Sequence, residues 1–381
     1  MKKRHIFFYW LLVPLTTLFA RIKFGYTYEK AKNLPENYIV LSNHVTDYDM
    51  LFVGASFRRQ MYFVASEHIA RWKFLYWFLQ YAFAPIWRYK GSVASSTVLD
   101  ILRKTKKGEN VCIFAEGVRS WDGRSSPILP STGKMVKKAG CALVTYKIKG
   151  GYFASPMWSA STRRGYVHGA PVNIYTAEQL KAMTVDEINE AIRQDLWEDA
   201  YERQQKDPKP YKGKGLAEDL ETLLFICPEC GKLETMHSED NTVSCKACGW
   251  SLQINSYGMF SDPHFTNVRD LSDWQKEQIR LHAEKNTAYT SDFGELITVE
   301  NHIESPVTSG PIYMDNAIFR CGEKEFALDS VSELAMHGRR ALVFTAGKEY
   351  FELLLPKGGN AIKYLLYFNA YKTQASTAKA E

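Results

Sequence analysis

The sequence predicts an α/β domain with a largely parallel sheet, then a small four-cysteine module, then a β-rich domain closed by a helix. Three observations carry this reading. Over about the first 210 residues, short β-branched or aromatic runs alternate with helical stretches, the pattern of a parallel sheet with crossover helices. Two Cys-x-x-Cys pairs follow. Beyond residue 290 the chain breaks into short alternating runs and ends on an apolar helical stretch.

At the N-terminus, Lys2, Lys3 and Arg4 precede an apolar run from Ile6 to Ala20. A signal peptide fits the charge and length, but Leu18 sits where cleavage needs a small residue. The run is shorter than the ~20 residues of a spanning helix and contains Pro14. A buried core helix is the bland alternative. Phe7, Phe8, Tyr9 and Trp10 with basic flanks favour an anchor lying in the membrane surface, residues 1–23.

Strands are expected at Tyr38–Ser42, Tyr62–Ala65, Val111–Phe114 and Ala142–Lys147, with helices near 49–57, 67–81, 93–106 and 131–139. The stretch from Ile69 through Trp72 to Trp87 is apolar nearly all round, so it is read as core or membrane-buried, in part lining an acyl channel. One helix is expected over Thr184–Gln204. A capping box of Thr184 with Glu187 starts it, and Ile188, Ile192 and Leu196 form its apolar stripe. Prolines, glycines and lysines make 207–222 a linker. A helix is expected at 271–285, strands at 312–314, 341–344 and 350–355, and a closing helix at 360–372. Residues 374–381, small and polar, read as a disordered tail.

The net charge of +6 suits anionic surfaces or substrates without requiring nucleic acid. Seven cysteines, an odd number in a long chain, argue against a disulfide framework. Cys112, Cys141 and Cys321 lie in apolar runs and read as core.

The sharpest signal is Asn43-His44-Val45-Thr46-Asp47-Tyr48-Asp49, just after the first of these strands. Histidine is the natural general base near neutral pH, and a carboxylate beside it holds the tautomer and stabilises the imidazolium. His44 and Asp49 are five residues apart, about 140° around a helix, so they share no helix face. They meet if His44 lies in the loop and Asp49 in the first turn of the next helix. Asp47 is the rival carboxylate, and its expected role is to cap that helix, a role Thr46 also fits.

A second signal, Phe114-Ala115-Glu116-Gly117-Val118-Arg119-Ser120, ends the 111–114 strand, where ligands bind in α/β sheets. Gly117 permits a tight turn, Arg119 offers a fork for phosphate, and Glu116 can orient Arg119 or a hydroxyl. Ala84-Pro85-Ile86-Trp87-Arg88 supplies another arginine.

Together, NHVTDYD, APIWR and FAEGVRS resemble, in order and spacing, the motifs of the glycerolipid acyltransferases, which include bacterial 1-acylglycerol-3-phosphate acyltransferases. The resemblance covers about residues 35–175 and marks 24–206 as the acyltransferase domain. It implies His44 as general base and Asp49 as its partner. It implies that Arg88, Glu116, Gly117 and Arg119 hold the acceptor's glycerol phosphate. The donor would be acyl-coenzyme A or an acyl-carrier protein, the acceptor a lysophospholipid in a membrane, and the place the cytoplasmic face of a bacterial inner membrane. The family's later apolar block usually carries a proline that Ala142–Tyr146 lacks, while Gly169 and Pro171-Val172 resemble a later turn. Another lysolipid or glycerol 3-phosphate as acceptor, or a non-catalytic membrane adaptor, are the competing readings. The intact His44/Asp49 pair speaks against an adaptor.

Cys227-Pro-Glu-Cys230-Gly231 and Cys245-Lys-Ala-Cys248-Gly249 are matching knuckles separated by fourteen residues. Four thiolates at this spacing can enclose one zinc ion, as in a zinc ribbon over 223–260. Iron or a redox dithiol are the rivals. Glu229, Glu234, Glu239 and Asp240 deny this module the basic surface that nucleic acid needs, so its expected role is structural or docking to a protein partner. The segment 261–373 resembles a pleckstrin-homology-like domain preceded by a helix.

Overall fold

The computed structural model describes residues 3–66, 73–88, 95–300 and 303–378. The chain divides into two compact units, Met1–Lys214 and Gly215–Glu381.

The first unit opens with α1 (Lys3–Phe24), 22 residues including Pro14. It is longer than the Ile6–Ala20 run and is long and apolar enough to cross a membrane. One face docks: Tyr9, Thr17, Ala20 and Phe24 are buried, and the Tyr9 hydroxyl donates to the carbonyls of Gly54 (2.9 Å) and Phe57 (3.0 Å). The other face exposes Phe7, Trp10, Leu15, Leu18 and Ile22. Then come β1 (Tyr26–Tyr28), β2 (Tyr38–Ser42), α2 (Asp49–Ser56), β3 (Tyr62–Ser66), α3 (Lys73–Ala82), β4 (Ile86–Arg88), α4 (Ser95–Lys106) and β5 (Val111–Phe114). The unit continues with α5 (Ser131–Ala139), β6 (Ala142–Lys149), α6 (Gly151–Ala154), β7 (Val167–Tyr175), α7 (Ala177–Ala182), α8 (Val185–Leu196) and α9 (Ala200–Lys206). The seven strands form one mixed sheet in the order β1-β7-β6-β2-β5-β3-β4. Every pairing is parallel except β6 with β7. Ile39, Leu41, Val111 and Leu143 from the sheet pack against Met135, Val136, Ile188, Ile192 and Leu196 from α5 and α8. Cys112 and Cys141 are buried core residues, as expected from their apolar runs.

Several expectations need correction. The 184–204 helix is two helices. Thr184 caps α8 with the expected box, but the chain turns at Trp197, and Asp199 caps α9 by accepting from the N–H groups of Tyr201 and Glu202. The turn around Pro171 lies within a strand: β7 runs through it, with a register shift opposite Val144/Tyr146 that accommodates the missing N–H. Residues 67–72 of the expected 67–81 helix, with Ile69 and Trp72, lie outside the described residues, as do 93 and 94 of the next. Of α3, only Ala82 is buried, and Phe74 is 80% exposed, so α3 is not a core helix. The 207–222 linker is structured. Tyr211 is buried and donates to the Tyr166 carbonyl (2.7 Å), which ties 207–214 to the first unit. The rest of that segment belongs to the second unit.

The second unit begins with a three-stranded antiparallel sheet, β8 (Met236–Glu239), β9 (Thr242–Cys245) and β10 (Ser251–Gln253), in the order β10-β9-β8. Then come α10 (Val268–Glu284) and seven antiparallel strands: β11 (Tyr289–Glu300), β12 (Ile303–Met314), β13 (Ile318–Cys321), β14 (Lys324–Ala327), β15 (Val331–His337), β16 (Ala341–Ala346) and β17 (Glu349–Leu354). Their order is β14-β13-β12-β11-β17-β16-β15. The closing helix, α11 (Ile362–Ala378), extends through most of the segment expected as a tail. Cys321 is buried, as expected. The cysteine module and the β-rich part are stitched together. The buried Gln275 of α10 accepts from the N–H groups of Phe225 (2.7 Å) and Ile226 (3.0 Å) and donates to Leu223 (2.9 Å). Glu234 accepts from Tyr289 and from the buried Lys363.

Candidate active site

The parallel strands β2, β5 and β4 end at one edge of the sheet, and each delivers part of one constellation. β2 ends at Ser42, yet its ladder continues through a side chain. The buried Asn43 amide donates to the Ile148 carbonyl (2.9 Å) and accepts from the Ile148 N–H (2.8 Å). The next residue, His44, is therefore set by the sheet. Its ring stacks on Phe114 at the end of β5, centroids 4.8 Å apart. Its Nδ1 lies 2.8 Å from Oδ2 of Asp49, the first residue of α2.

Asp49 is 1% exposed, and its carboxylate is saturated. Besides the His44 ring it accepts from the N–H groups of Val45 (2.7 Å) and Thr46 (3.0 Å) and from the Thr46 hydroxyl (2.7 Å). With these donors around it the carboxylate acts as an acceptor, so Nδ1 carries the ring proton and donates it to Asp49. Nε2 is left as the basic nitrogen on a side chain 24% exposed. The placement expected from the spacing, loop histidine with first-turn aspartate, is the one observed.

Asp47 does not cap α2. The N-cap position is Tyr48 and has no side-chain cap bond. Asp47 instead accepts from Arg119 Nη1 (2.8 Å). Arg119 also donates to the carbonyls of Ser155 (2.5 Å) and Val45 (3.4 Å) and is only 9% exposed. Its guanidinium braces the His44 loop. Arg88, ending β4, has no carboxylate partner among the described residues. It lies against Gly117, whose φ is +69°, and a Cβ there would come within 2.7 Å of the Arg88 Nη1. Glycine is needed both for that backbone and for this approach. The Gly117 N–H donates to the Phe114 carbonyl (3.2 Å), closing the turn.

Glu116 ties the two motif loops together. One oxygen accepts from the His44 N–H (3.1 Å), the other from the Ser126 N–H (2.6 Å). Burial pushes its carboxyl up to about 8, against these two donors. Sequence reasoning assigned no role to Asn43, Phe114 or Ser155. Only Asn43 left a signal, a polar residue placed where a strand ends.

Residues 25–149 match the acyltransferase family model. The first unit carries an acyltransferase domain. Among solved structures, the 1-acyl-sn-glycerophosphate (LPA) acyltransferase PlsC from Thermotoga maritima is similar at 17% identity and a TM-score of 0.43, covering 52% of this chain and 81% of that one. A comparison with curated proteins finds no match. Outside this domain, the sulfurs of Cys227, Cys230, Cys245 and Cys248 all lie within 4.8 Å of one another. Cys227–Cys248 and Cys230–Cys245 are 3.7 and 3.8 Å apart. A tetrahedron with Zn–S bonds of 2.3 Å has edges of about 3.8 Å. Gly231 and Gly249, both at positive φ, donate to the carbonyls of Cys227 and Cys245, which closes the two knuckles alike. The donor set and spacing fit a zinc ion.

Proposed function

We propose that the acyltransferase domain moves an acyl group from a thioester, on coenzyme A or a carrier protein, to the free hydroxyl of a lysophosphatidate-like glycerophospholipid. The observation that carries this is the His44–Asp49 pair at the strand ends, joined through Nδ1, with the His44 side chain 24% exposed. In the reaction, Nε2 takes the proton of the acceptor hydroxyl as its oxygen attacks the thioester carbonyl. The tetrahedral intermediate collapses, the C–S bond breaks, and the imidazolium returns the proton to the departing thiolate. No residue of the protein is acylated. Asp49 holds the tautomer and offsets the charge on His44. Arg88 grips the acceptor phosphate, while Arg119 and Glu116 hold the loop that presents His44. Other lysolipids and glycerol 3-phosphate offer the same hydroxyl and phosphate.

The exposed face of α1 would rest in the bilayer interface at its cytoplasmic face, where the acceptor resides. Cys227, Cys230, Cys245 and Cys248 would hold a structural zinc ion, whose bonds would tie the two knuckles to each other. The antiparallel strand order with β11 at its centre, closed by α11, supports the pleckstrin-homology-like reading of the C-terminal part. The test is a panel of acyl thioesters and lyso-acceptors with the purified full chain, read by lipid mass spectrometry. A new diacyl product that disappears with His44→Ala is expected. No acyl product from any pair would refute the proposal.

A further inference from the structure

At the other end of the parallel strands lies a second feature. A groove of about 470 Å³ opens beside Tyr62, the first residue of β3, and Glu109, just before β5. β5 has four residues, or about 13 Å of strand, between this end and Phe114, whose ring stacks on His44. The α3 aromatics Tyr76, Trp77 and Tyr81 wall this groove, rather than an acyl channel at His44. A second hollow of about 360 Å³ adjoins it, sharing Gln80, Lys104 and Lys107.

Its charge is lopsided. Lys104 sits 3.6 Å from the Tyr62 ring centroid and 3.2 Å from the Glu109 carboxylate. Arg103 pairs with Asp100 at 2.8 Å. Within each pair the two charges offset each other. Arg4 and Lys107 have no carboxylate partner among the described residues. Arg4 lies over the Tyr81 ring, 4.7 Å from its centroid, and Lys107 is exposed. Trp77, which lines the groove, is 61% exposed, and Phe74 of the same helix and Phe7 of α1 are 80% and 61% exposed. Bilayer interfaces favour aromatics of this kind, and cations beside them meet phosphates. The groove has the volume of a ligand site rather than a packing defect.

We propose that this groove binds the phosphodiester headgroup of an anionic membrane phospholipid, at a site separate from the acyl-transfer centre. Arg4 and Lys107 hold the phosphate, with Lys104 behind them, while Trp77 and Tyr81 cover the glycerol end. The site would bias the protein toward anionic bilayers whatever the acceptor it acylates.

Flotation of the full chain on vesicles of phosphatidylcholine, alone or mixed with phosphatidylglycerol, tests it. Arg4→Ala/Lys107→Ala should lower the preference for mixed vesicles by roughly 25-fold, at about fivefold per lost basic contact. Lys134→Ala/Lys138→Ala, which removes the same charge from exposed positions on α5, should stay within about threefold, since screening weakens contacts that are not close. Equal losses in the two variants would reduce the effect to net charge and overturn the site. The wild-type chain on mixed vesicles is also challenged with glycerophosphoglycerol or with inorganic phosphate at equal ionic strength. Selective displacement by glycerophosphoglycerol is expected. Displacement by phosphate at least as strong would overturn the headgroup assignment. If the double variant melts early, Lys107→Ala alone is read in its place, with about a fivefold loss expected and no loss overturning the site.

Discussion

The His44 loop and the cysteine knuckles hold reactive side chains at fixed spacing by opposite means. In the loop, protein atoms do all the work. Asp49 takes four donors, Glu116 bonds two loops, Asn43 is paired to the sheet, and Arg119 spans three partners. In the knuckles, four sulfurs face one another at 3.7–3.8 Å across pairs, and thiols at that distance gain little from each other. The first arrangement is complete when the chain folds, whereas the second is, on the proposed reading, completed by a zinc ion. If His44 is the base proposed above, it must stay free to exchange its proton, and the fold orients it without consuming Nε2. A structural site has no such need and can commit every ligand.

This contrast can be broken most sharply by removing the metal. The purified chain should carry one zinc per molecule, and Cys245→Ser or a strong chelator should release it. Metal bonds in such sites contribute on the order of 10 kcal/mol to folding, so residues 223–260 should become protease-sensitive. Acyl transfer should change less than twofold in the same sample. Elemental analysis with limited proteolysis checks the first result and a turnover assay the second. A chain free of metal and still resistant would erase the distinction.

Next in size is His44→Ala. Loss of the base should lower kcat by about 10²–10⁴ while the melting temperature holds, because a side chain at the site's surface leaves no core cavity. Asp49→Asn should cost a comparable factor, since an amide presents a donor to Val45, Thr46 and the His44 Nδ1–H. Steady-state kinetics with a thermal melt separates chemistry from folding. A smaller effect is expected of Arg88→Ala: a charged phosphate contact of about 1.5–3 kcal/mol should appear as a roughly 10- to 100-fold rise in acceptor KM with kcat largely kept. A loss confined to kcat would move Arg88 out of the binding role.

A further effect, on stability rather than turnover, belongs to Glu116. Its carboxyl is raised from 4.5 to about 8 in the folded state, so folding favours the protonated form. The stability this group contributes is present below pH 4.5 and is lost as pH rises through 8. The melting temperature should therefore sag between those values, and Glu116→Gln should flatten that part of the profile. An identical slope in both proteins would show that Glu116 is not the titrating group.

Much of this was legible in the sequence because it is local. The His44–Asp49 spacing forces a loop followed by a helix start, the α8 capping box is written in four residues, and each knuckle spans five. What stayed hidden is contact at a distance. Asp47 has the composition of a cap, and only the fold brings Arg119, 72 residues away, to claim it. Glu116 resembles a ligand-binding residue until its two acceptor bonds are seen. β1 and β4 are three residues each, too short for a pattern, and β7 is masked by Gly169 and Pro171. The turn at Trp197 was overridden by an apolar stripe that ends just before it.

The amide pair between Asn43 and Ile148 has a consequence for motion. Free loops wander on nanosecond to microsecond timescales, whereas strands in a sheet centre do not. Because Asn43 borrows the ladder of β6, the mobile span starts only at His44 and ends at Asp49, itself held by four bonds. So short a tether between two fixed points has little configurational freedom to lose when the acceptor arrives. The imidazole thus shares the stillness of the sheet while standing outside it.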